Sequence, residues 1–176
     1  MFARLVTFVV LLLGISLNCG AQDIKDYRLG AGDTIKISVW GESDLSLETQ
    51  LTDSGSFNYP FLGSVKATGL TIEKLKASLV KRLSPDYLLN PDVNVQIVSY
   101  RGFFIRGEVK SPGAYAFQPG LTIAKAVSLA GGFSKHASLN KITIVSDNEG
   151  QQNKRKANLD TLIQPGDTID IAEGFF

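Results

Sequence analysis

Residues 27–40 read YRLGAGDTIKISVW, and this stretch contains the first clear strand pattern of the sequence. Ile35, Ile37 and Val39 alternate with polar residues, which is the period-two pattern of a strand that buries one face. The stretch therefore predicts a half-buried strand at the start of the fold.

A glycine-rich turn precedes this strand and has a counterpart near the other end of the sequence. Gly30 and Gly32 suit a tight turn, and Asp33 is placed to hydrogen-bond the backbone around it. Residues 31–37 read AGDTIKI, and residues 165–171 read PGDTIDI. Because both are Gly-Asp turns that lead into an alternating strand, we interpret them as one local structure used twice, although the match is too short to establish a duplication.

A second extended segment is expected in residues 52–63, after a predicted turn. Phe57, Tyr59 and Phe61 fall on one side of it if the backbone is extended. Pro60 lacks a backbone N–H and would restrict the segment to the edge of a sheet.

Residues 69–85 carry the clearest helix pattern, and a strand is predicted over residues 91–100. Thr71 is a good N-cap for this helix. Its apolar stripe consists of Ile72, Leu75, Leu79 and Leu83. The first unit therefore has the order strand, strand, helix, strand, which is typical of an α+β fold.

A second small α+β unit is predicted from Gly102 onward. Thr122 caps a short helix, and Gly131 stands where a left-handed residue would end it. The predicted strands are residues 103–109, 115–117, 141–146 and 152–157, and residues 162–171 are predicted to end in a last strand.

The N-terminus indicates export. Arg4 is followed by the apolar run 5–15, which is too short to span a bilayer. Small residues come next, so residues 1–21 are predicted to be a secretory signal peptide that is cleaved after Ala21. The alternative is a lipoprotein cysteine at Cys19, although the residue before it is not small.

The charge balance excludes some classes of partner. The sequence has 18 Lys and Arg against 17 Asp and Glu, with no long run of either sign. Nucleic-acid binding needs a basic footprint, so we expect no nucleic-acid partner. No second apolar run is long enough for a transmembrane helix, and the predicted location is the periplasm.

The sequence carries few groups arranged for catalysis. His136 is the only histidine, and metal sites usually need several ligands at suitable spacing, so no metal and no cofactor are predicted. Glu42, Asp44 and Glu48 are interpreted as a solvated loop. We predict that the protein is not an enzyme, with a pair of catalytic carboxylates as the alternative that the sequence leaves open.

Aromatic residues have two interpretations. Trp40 and the tyrosines would suit stacking on the apolar faces of sugar rings. For Tyr27, Trp40 and Tyr59, however, their places in or beside predicted strands favour packing in the core.

Taken together, these patterns resemble the bacterial polysaccharide biosynthesis/export proteins, which act as outer-membrane polysaccharide exporters. The export domain of that family begins with Tyr-x-Leu-Gly-x-Gly-Asp, continues to an aromatic-Pro pair and a hydrophobic-Gly pair, and closes with a Pro-x-Val-x-Val strand. The matching residues of the first unit include Tyr27, Gly30, Gly32, Asp33, Pro60 and Gly63.

The second unit is similar to the soluble-ligand-binding β-grasp (SLBB) domain that follows in these exporters. Its matching residues are Gly107, Glu108, Pro112, Gly113, Gly131 and Gly132. The resemblance implies an export domain over residues 22–101 and one β-grasp-like SLBB domain over residues 102–176. The motif residues are structural, and no polymer-contacting residue is identified.

The resemblance further implies a periplasmic part of a capsule or exopolysaccharide export channel. Copies of the chain would form a homo-oligomeric ring that conducts polysaccharide. Long family members have a second β-grasp repeat and a final pore-lining helix, which this sequence does not show before Phe176. The expected partners are therefore an inner-membrane polysaccharide co-polymerase and a separate outer-membrane β-barrel protein.

Two other functions remain open from the sequence. One is a periplasmic module that binds or senses glycan without forming a channel. The other is a carboxylate-based glycan hydrolase, which would show turnover and depend on one essential carboxylate.

Overall fold

The structure is a computed structural model that describes residues 27–84, 86–148 and 151–174. The predicted signal peptide and the alternative lipidation site at Cys19 lie outside these residues. The elements, in chain order, are β1 Thr34–Val39, β2 Glu42–Gln50, β3 Ser56–Tyr59, β4 Gly63–Lys66, α1 Ile72–Leu83, β5 Val93–Ser99, β6 Phe103–Gly107, β7 Gly113–Tyr115, α2 Ile123–Leu129, β8 Ala137–Asn148, β9 Gln151–Ala157 and β10 Thr168–Glu173. The predicted α+β class is confirmed.

The first unit is a three-stranded antiparallel sheet covered on one face by α1. β1 lies in the centre, between β2 and β5. The apolar residues of β1 are buried in one cluster with Leu75, Leu79 and Leu83 of α1. Thr71 caps the helix as predicted, because its hydroxyl accepts from the Lys74 backbone N–H at 3.3 Å. The buried side chains of β1 and the apolar stripe of α1 thus pack together in one core.

The segment after β2 folds back on itself as the β3–β4 hairpin. Phe57 and Tyr59 are buried as predicted, but Phe61 is 68% exposed and has a positive φ of 61°. The expectation that Phe61 shares their side is wrong, because the pairing of Tyr59 with Gly63 places it in the hairpin turn. Pro60 lies in the same turn, where a fixed φ and a missing N–H are tolerated.

The loop predicted around the three acidic residues is also wrong. Glu42, Asp44 and Glu48 belong to β2, and all three are exposed. Leu45 and Leu47 alternate with them and turn toward the core. The signal for this strand was weak, because only two apolar residues interrupt a polar run.

The second unit is a five-stranded mixed sheet with α2 packed on one face. The strand order is β7-β6-β10-β8-β9, with β10 parallel to β6 and the other pairs antiparallel. Gly131 follows α2 with a φ of +79°, as predicted. Several strand bounds differ from the prediction: β6 ends at Gly107, β7 spans Gly113–Tyr115, β8 starts at Ala137, earlier than the apolar run suggested, and β10 continues to Glu173.

Candidate functional site

The most densely bonded polar group of the described residues lies where the two units meet. The Asp33 side chain is fully buried, and its carboxylate accepts hydrogen bonds from the Tyr27 hydroxyl at 2.7 Å and the Gly30 backbone N–H at 2.8 Å. It also accepts from the backbone N–H of Arg101 at 2.7 Å. A carboxylate with this many donors stays satisfied without water.

The Arg101 guanidinium completes the arrangement. Its Nη1 lies 3.3 Å from Asp33 Oδ2 and donates to the Tyr27 hydroxyl at 2.8 Å. Burial is the main reason that the pKa of Tyr27 is raised well above its usual range, so its hydroxyl remains a donor to Asp33. The three side chains form one network, which we call the junction cluster: Tyr27, Asp33 and Arg101.

The second Gly-Asp turn approaches the same arginine from the other unit. Asp167 is buried and accepts from the Gln164 backbone N–H at 2.8 Å, just as Asp33 accepts from Gly30 three residues back. Gly32 and Gly166 share a φ of +88°. The similarity of the two turns in sequence is therefore also a similarity in structure.

Glycines stand where these turns contact the Arg101 side chain, which would have to shift if a Cβ were added. A Cβ added to Gly166 would lie 2.7 Å from Arg101 Nε, and one added to Gly30 would lie 2.2 Å from Arg101 Nη1. The backbone N–H of Gly166 also donates to the Gly102 carbonyl at 2.9 Å. Arg101 and Gly102 are thus held between two turns that are far apart in sequence.

The other motif residues lie in a second group and in two further turns. Gly107, Glu108, Gly131 and Gly132 lie near one another, because the Lys110 backbone N–H donates to the Gly132 carbonyl and the Ser134 hydroxyl donates to the Glu108 carboxylate. Pro60 and Gly63 lie in and beside the β3–β4 turn, and Pro112 and Gly113 stand at the start of β7. The structure thus brings Tyr27, Gly30, Gly32 and Asp33 together with Arg101. The sequence analysis did not identify Arg101 as part of this site. The feature that could have indicated it is the position of this arginine, between the last strand of one unit and the first strand of the next.

The junction cluster has the character of a structural site. Among the described residues, no group of three or more His, Cys, Asp or Glu side chains is placed to hold a metal ion. His136, the one histidine of the sequence, is exposed. The hydrogen bonds of Asp33 hold backbone and side chain together across the two units.

The three aromatic residues that were predicted to pack in the core are not all buried. Tyr59 is buried, and its hydroxyl donates to the Leu45 carbonyl at 2.8 Å, while Tyr27 is partly buried. Trp40 is 87% exposed, so its predicted core position is wrong. It lies in the two-residue turn between β1 and β2, where Gly41 has a φ of +80° and the side chain extends beyond the sheet.

Other apolar side chains are exposed at the same end of the first unit. Phe61 and Tyr87 stack with ring centroids 5.2 Å apart, and Leu89 is 84% exposed. The Trp40 backbone N–H donates to the Asp92 carbonyl, close to Leu89 in sequence. We call Trp40, Phe61, Tyr87 and Leu89 the apolar end; it is opposite to the junction cluster, since β1 runs from Thr34 beside Asp33 to Val39.

Comparison with known proteins identifies the family. The family model for polysaccharide biosynthesis/export proteins matches residues 21–98, and the model for the SLBB domain matches residues 103–154. The chain therefore carries the polysaccharide biosynthesis/export domain of that family, followed by an SLBB domain.

Individual relatives carry related descriptions. The exopolysaccharide production protein ExoF of Rhizobium meliloti is 31% identical over 62% of this chain and 29% of its own length. The EPS I polysaccharide export outer membrane protein EpsA of Ralstonia solanacearum is 25% identical over 61% of this chain and 35% of its own length. The polysialic acid transport protein KpsD of Escherichia coli is 27% identical over 51% of this chain and 16% of its own length. The chain spans about a third, or less, of the curated relatives that it matches.

No membrane-spanning helix is found in the part of the chain that is described. Neither α1 nor α2 is long and apolar enough to cross a bilayer.

Proposed function

We propose that this chain is a periplasmic, non-catalytic component of a polysaccharide export channel and that copies of it form a closed ring around the polymer. The observation that carries the proposal is the order of its domains, an export domain followed by an SLBB domain. The printed descriptions of ExoF, EpsA and KpsD name the production, export or transport of polysaccharide, which supports the same role. The domain border is proposed at Arg101 and Gly102.

The packing of each unit supports the proposed ring. Each described unit is built around its own hydrophobic cluster, so a polymer-wide passage does not run through a single copy. Several copies with the same head-to-tail interface would enclose such a passage. The junction cluster supports this design, because it holds the two units in one orientation and lets each form its own layer.

The proposed partners are an inner-membrane co-polymerase and a separate outer-membrane protein. Export of a polymer made inside the cell needs a continuous path, and a periplasmic ring supplies only the middle of that path. The ring would therefore be most stable between its two partners.

The experiment is chemical cross-linking in cells that carry the complete export locus. We expect a ladder of multimers of the chain, and we expect deletion of its gene to abolish surface polysaccharide, with recovery on complementation by the wild-type gene. A chain that stays monomeric in these cells, together with unchanged surface polysaccharide after deletion, would overturn the channel.

The exposed aromatic residues favour one alternative, a glycan-binding module without a channel. Trp40 and the Phe61–Tyr87 pair present flat apolar faces to solvent, which suit sugar rings. This alternative predicts a monomer that binds oligosaccharide saturably, which size measurement and titration of the purified protein would reveal.

A further inference from the structure

One face of the sheet in the second unit is not covered by any described element. Alternate residues of β6, β8 and β10 are buried against α2, namely Phe103, Ile105, Ile142, Ile144, Ile169 and Ile171. The residues between them point to the opposite face. On that face Phe104 is 52% exposed and the Arg106 side chain is 61% exposed, so the face is open to solvent.

The pairing of the strands places the residues of this face in rows. Arg106 pairs with Asp170, Asp170 with Thr143, and Thr143 with Lys156. The neighbouring row runs from Phe104 through Thr168 and Val145 to Lys154. Strand spacing puts Arg106 and Lys156 about 14 Å apart, and the two lysines of β9 are about 7 Å apart along the strand.

Positive charge dominates these rows. Arg106, Lys141, Lys154 and Lys156 share the face with the carboxylate of Asp170. Asp170 Oδ2 lies 3.1 Å from Arg106 Nη2 and 4.0 Å from Lys154 Nζ, so one carboxylate forms ion pairs with two cations. We call this surface the cationic face, and it keeps an excess of positive charge in a nearly neutral chain.

The sheet of the first unit provides an internal comparison. Its outward residues include Lys36, which pairs directly with Glu48, and the uncharged Gln96 on the other side. The exposed residues of β2 also include Glu42 and Asp44, so the sheet of the first unit has no comparable excess of positive charge. The concentration of cations on the second sheet is therefore not a general feature of outward strand positions in this protein.

The cationic face combines the groups that contact a charged sugar polymer. Lysine and arginine attract carboxylates, threonine hydroxyls exchange hydrogen bonds with sugar hydroxyls, and the exposed Phe104 ring suits an apolar sugar face. Asn140, Lys141, Thr143, Lys154, Lys156 and Asp170 are among the residues that line a shallow depression on it. We propose that the polymer this protein handles is an acidic polysaccharide and that the cationic face contacts its carboxylates; this rests on the proposed function.

The contact is expected to be weak and sensitive to salt. Each cation is exposed and screened, so a single ion pair contributes little. Several such pairs along a polymer add through multivalency and release one by one. Weak, separately released contacts suit a polymer that slides along the surface. A glycan is favoured over a nucleic acid because nucleic-acid-binding surfaces carry more basic residues than this face does.

The test compares two forms of one polymer on the purified full-length mature protein. Polygalacturonate carries a carboxylate on each sugar, and its fully methyl-esterified form has the same backbone without the charge. We expect polygalacturonate to bind with an affinity that falls as salt rises, and the ester to bind at least about tenfold more weakly.

Two double variants locate the contact. Lys154→Gln with Lys156→Gln should weaken polygalacturonate binding about tenfold and make the slope of log Kd against log salt concentration shallower, because fewer counterions are exchanged. Lys74→Gln with Lys76→Gln changes the same number of exposed lysines on α1 and should leave binding unchanged. Both variants should unfold at the wild-type temperature, since all four side chains are exposed.

Three binding results would overturn the inference. They are equal affinity for the acidic and esterified polymers, an equal loss of binding in both double variants, and tighter binding of single-stranded DNA than of polygalacturonate. None of them bears on the ring, because cross-linking and the surface polysaccharide of the deletion strain are measured separately. A locus that needs this protein for export of a neutral polymer would likewise leave the channel standing and remove only this proposal.

Discussion

Gly107 and Gly131 show how much a single Cβ matters at the residue scale. Both have positive φ, +87° and +79°. A Cβ on Gly107 would lie 2.1 Å from the carbonyl oxygen of Ile171, where β10 runs beside β6. A Cβ on Gly131 would lie 3.5 Å from Lys110 Cβ, which is ordinary contact. The two glycines therefore share a backbone conformation, but only Gly107 has another backbone too close to admit a side chain.

We expect Gly131→Ala to lower the free energy of unfolding by about 1 kcal/mol, through backbone strain alone. Gly107→Ala should lower it by about 3 kcal/mol, because the backbone of β10 must also move. Urea unfolding of the purified variants measures both. Gly113→Ala is the control, since nothing lies within 4 Å of its Cβ position and its change should stay within about 0.5 kcal/mol. Equal losses at Gly107 and Gly131 would contradict the close approach of β10.

The residues of the junction cluster show what sequence patterns reveal about a site. The turn from Gly30 to Asp33 was predictable, because its bonds are local and glycine and aspartate favour such turns. The contact of Asp33 with Arg101 spans 68 residues, and no periodicity encodes it. The prediction that Trp40 packs in the core failed for a similar reason, because a strand pattern does not show where the strand ends and the chain turns.

At the scale of elements, the turn between β1 and β2 determines what the first unit presents to solvent. Elements with strong periodicity were predictable, as β1, α1 and β5 were. β2 was not, because its apolar residues are few, and the β3–β4 hairpin was mistaken for one extended segment. Trp40 and Phe61 consequently appear in turns at the apolar end instead of in strands.

The exposure of Trp40 can be read from its fluorescence, because it is the only tryptophan in the sequence. We expect the purified monomer to emit at the wavelength of solvated tryptophan and to be quenched by acrylamide almost as fully as free tryptophan, given 87% exposure. Trp40→Ser should change the free energy of unfolding by no more than about 0.5 kcal/mol. The buried Tyr59 is the contrast, and Tyr59→Ser should cost about 3 kcal/mol or more. A blue-shifted, protected emission from the monomer would show that Trp40 is covered.

At the scale of the whole molecule, the two units are joined by a small set of contacts around Arg101. Tyr100 adds edge-to-face contacts with Tyr27 in one unit and Phe117 in the other, with ring centroids 5.0 and 5.5 Å apart. Together with the bond from Gly166 to Gly102, these contacts couple two cores that do not otherwise merge. The orientation of the units therefore depends on a few side chains.

Calorimetry tests this coupling. We expect the wild-type protein to unfold in a single transition and Arg101→Ala to unfold in two, because the substitution removes the guanidinium from Asp33 and Tyr27 while leaving each core intact. Arg106→Ala is the matched control, since this arginine pairs with Asp170 within the second sheet and should leave one transition. A single, merely lower transition for Arg101→Ala would mean that the units are coupled by other contacts.

The parallel pairing of β6 with β10 also sets an order of assembly. β6 opens the second unit, yet one of its neighbours in the sheet is the last strand described, with β7, α2, β8 and β9 between them in sequence. Contacts between such distant segments form slowly, because a long loop must close first. The first unit, by contrast, has its sheet, its helix and the Arg101 backbone bond to Asp33 within residues 27–101. A chain that emerges N-terminus first can therefore complete its first unit early, and that unit then offers Arg101 as a preformed surface on which the Gly166 turn docks as the second unit closes.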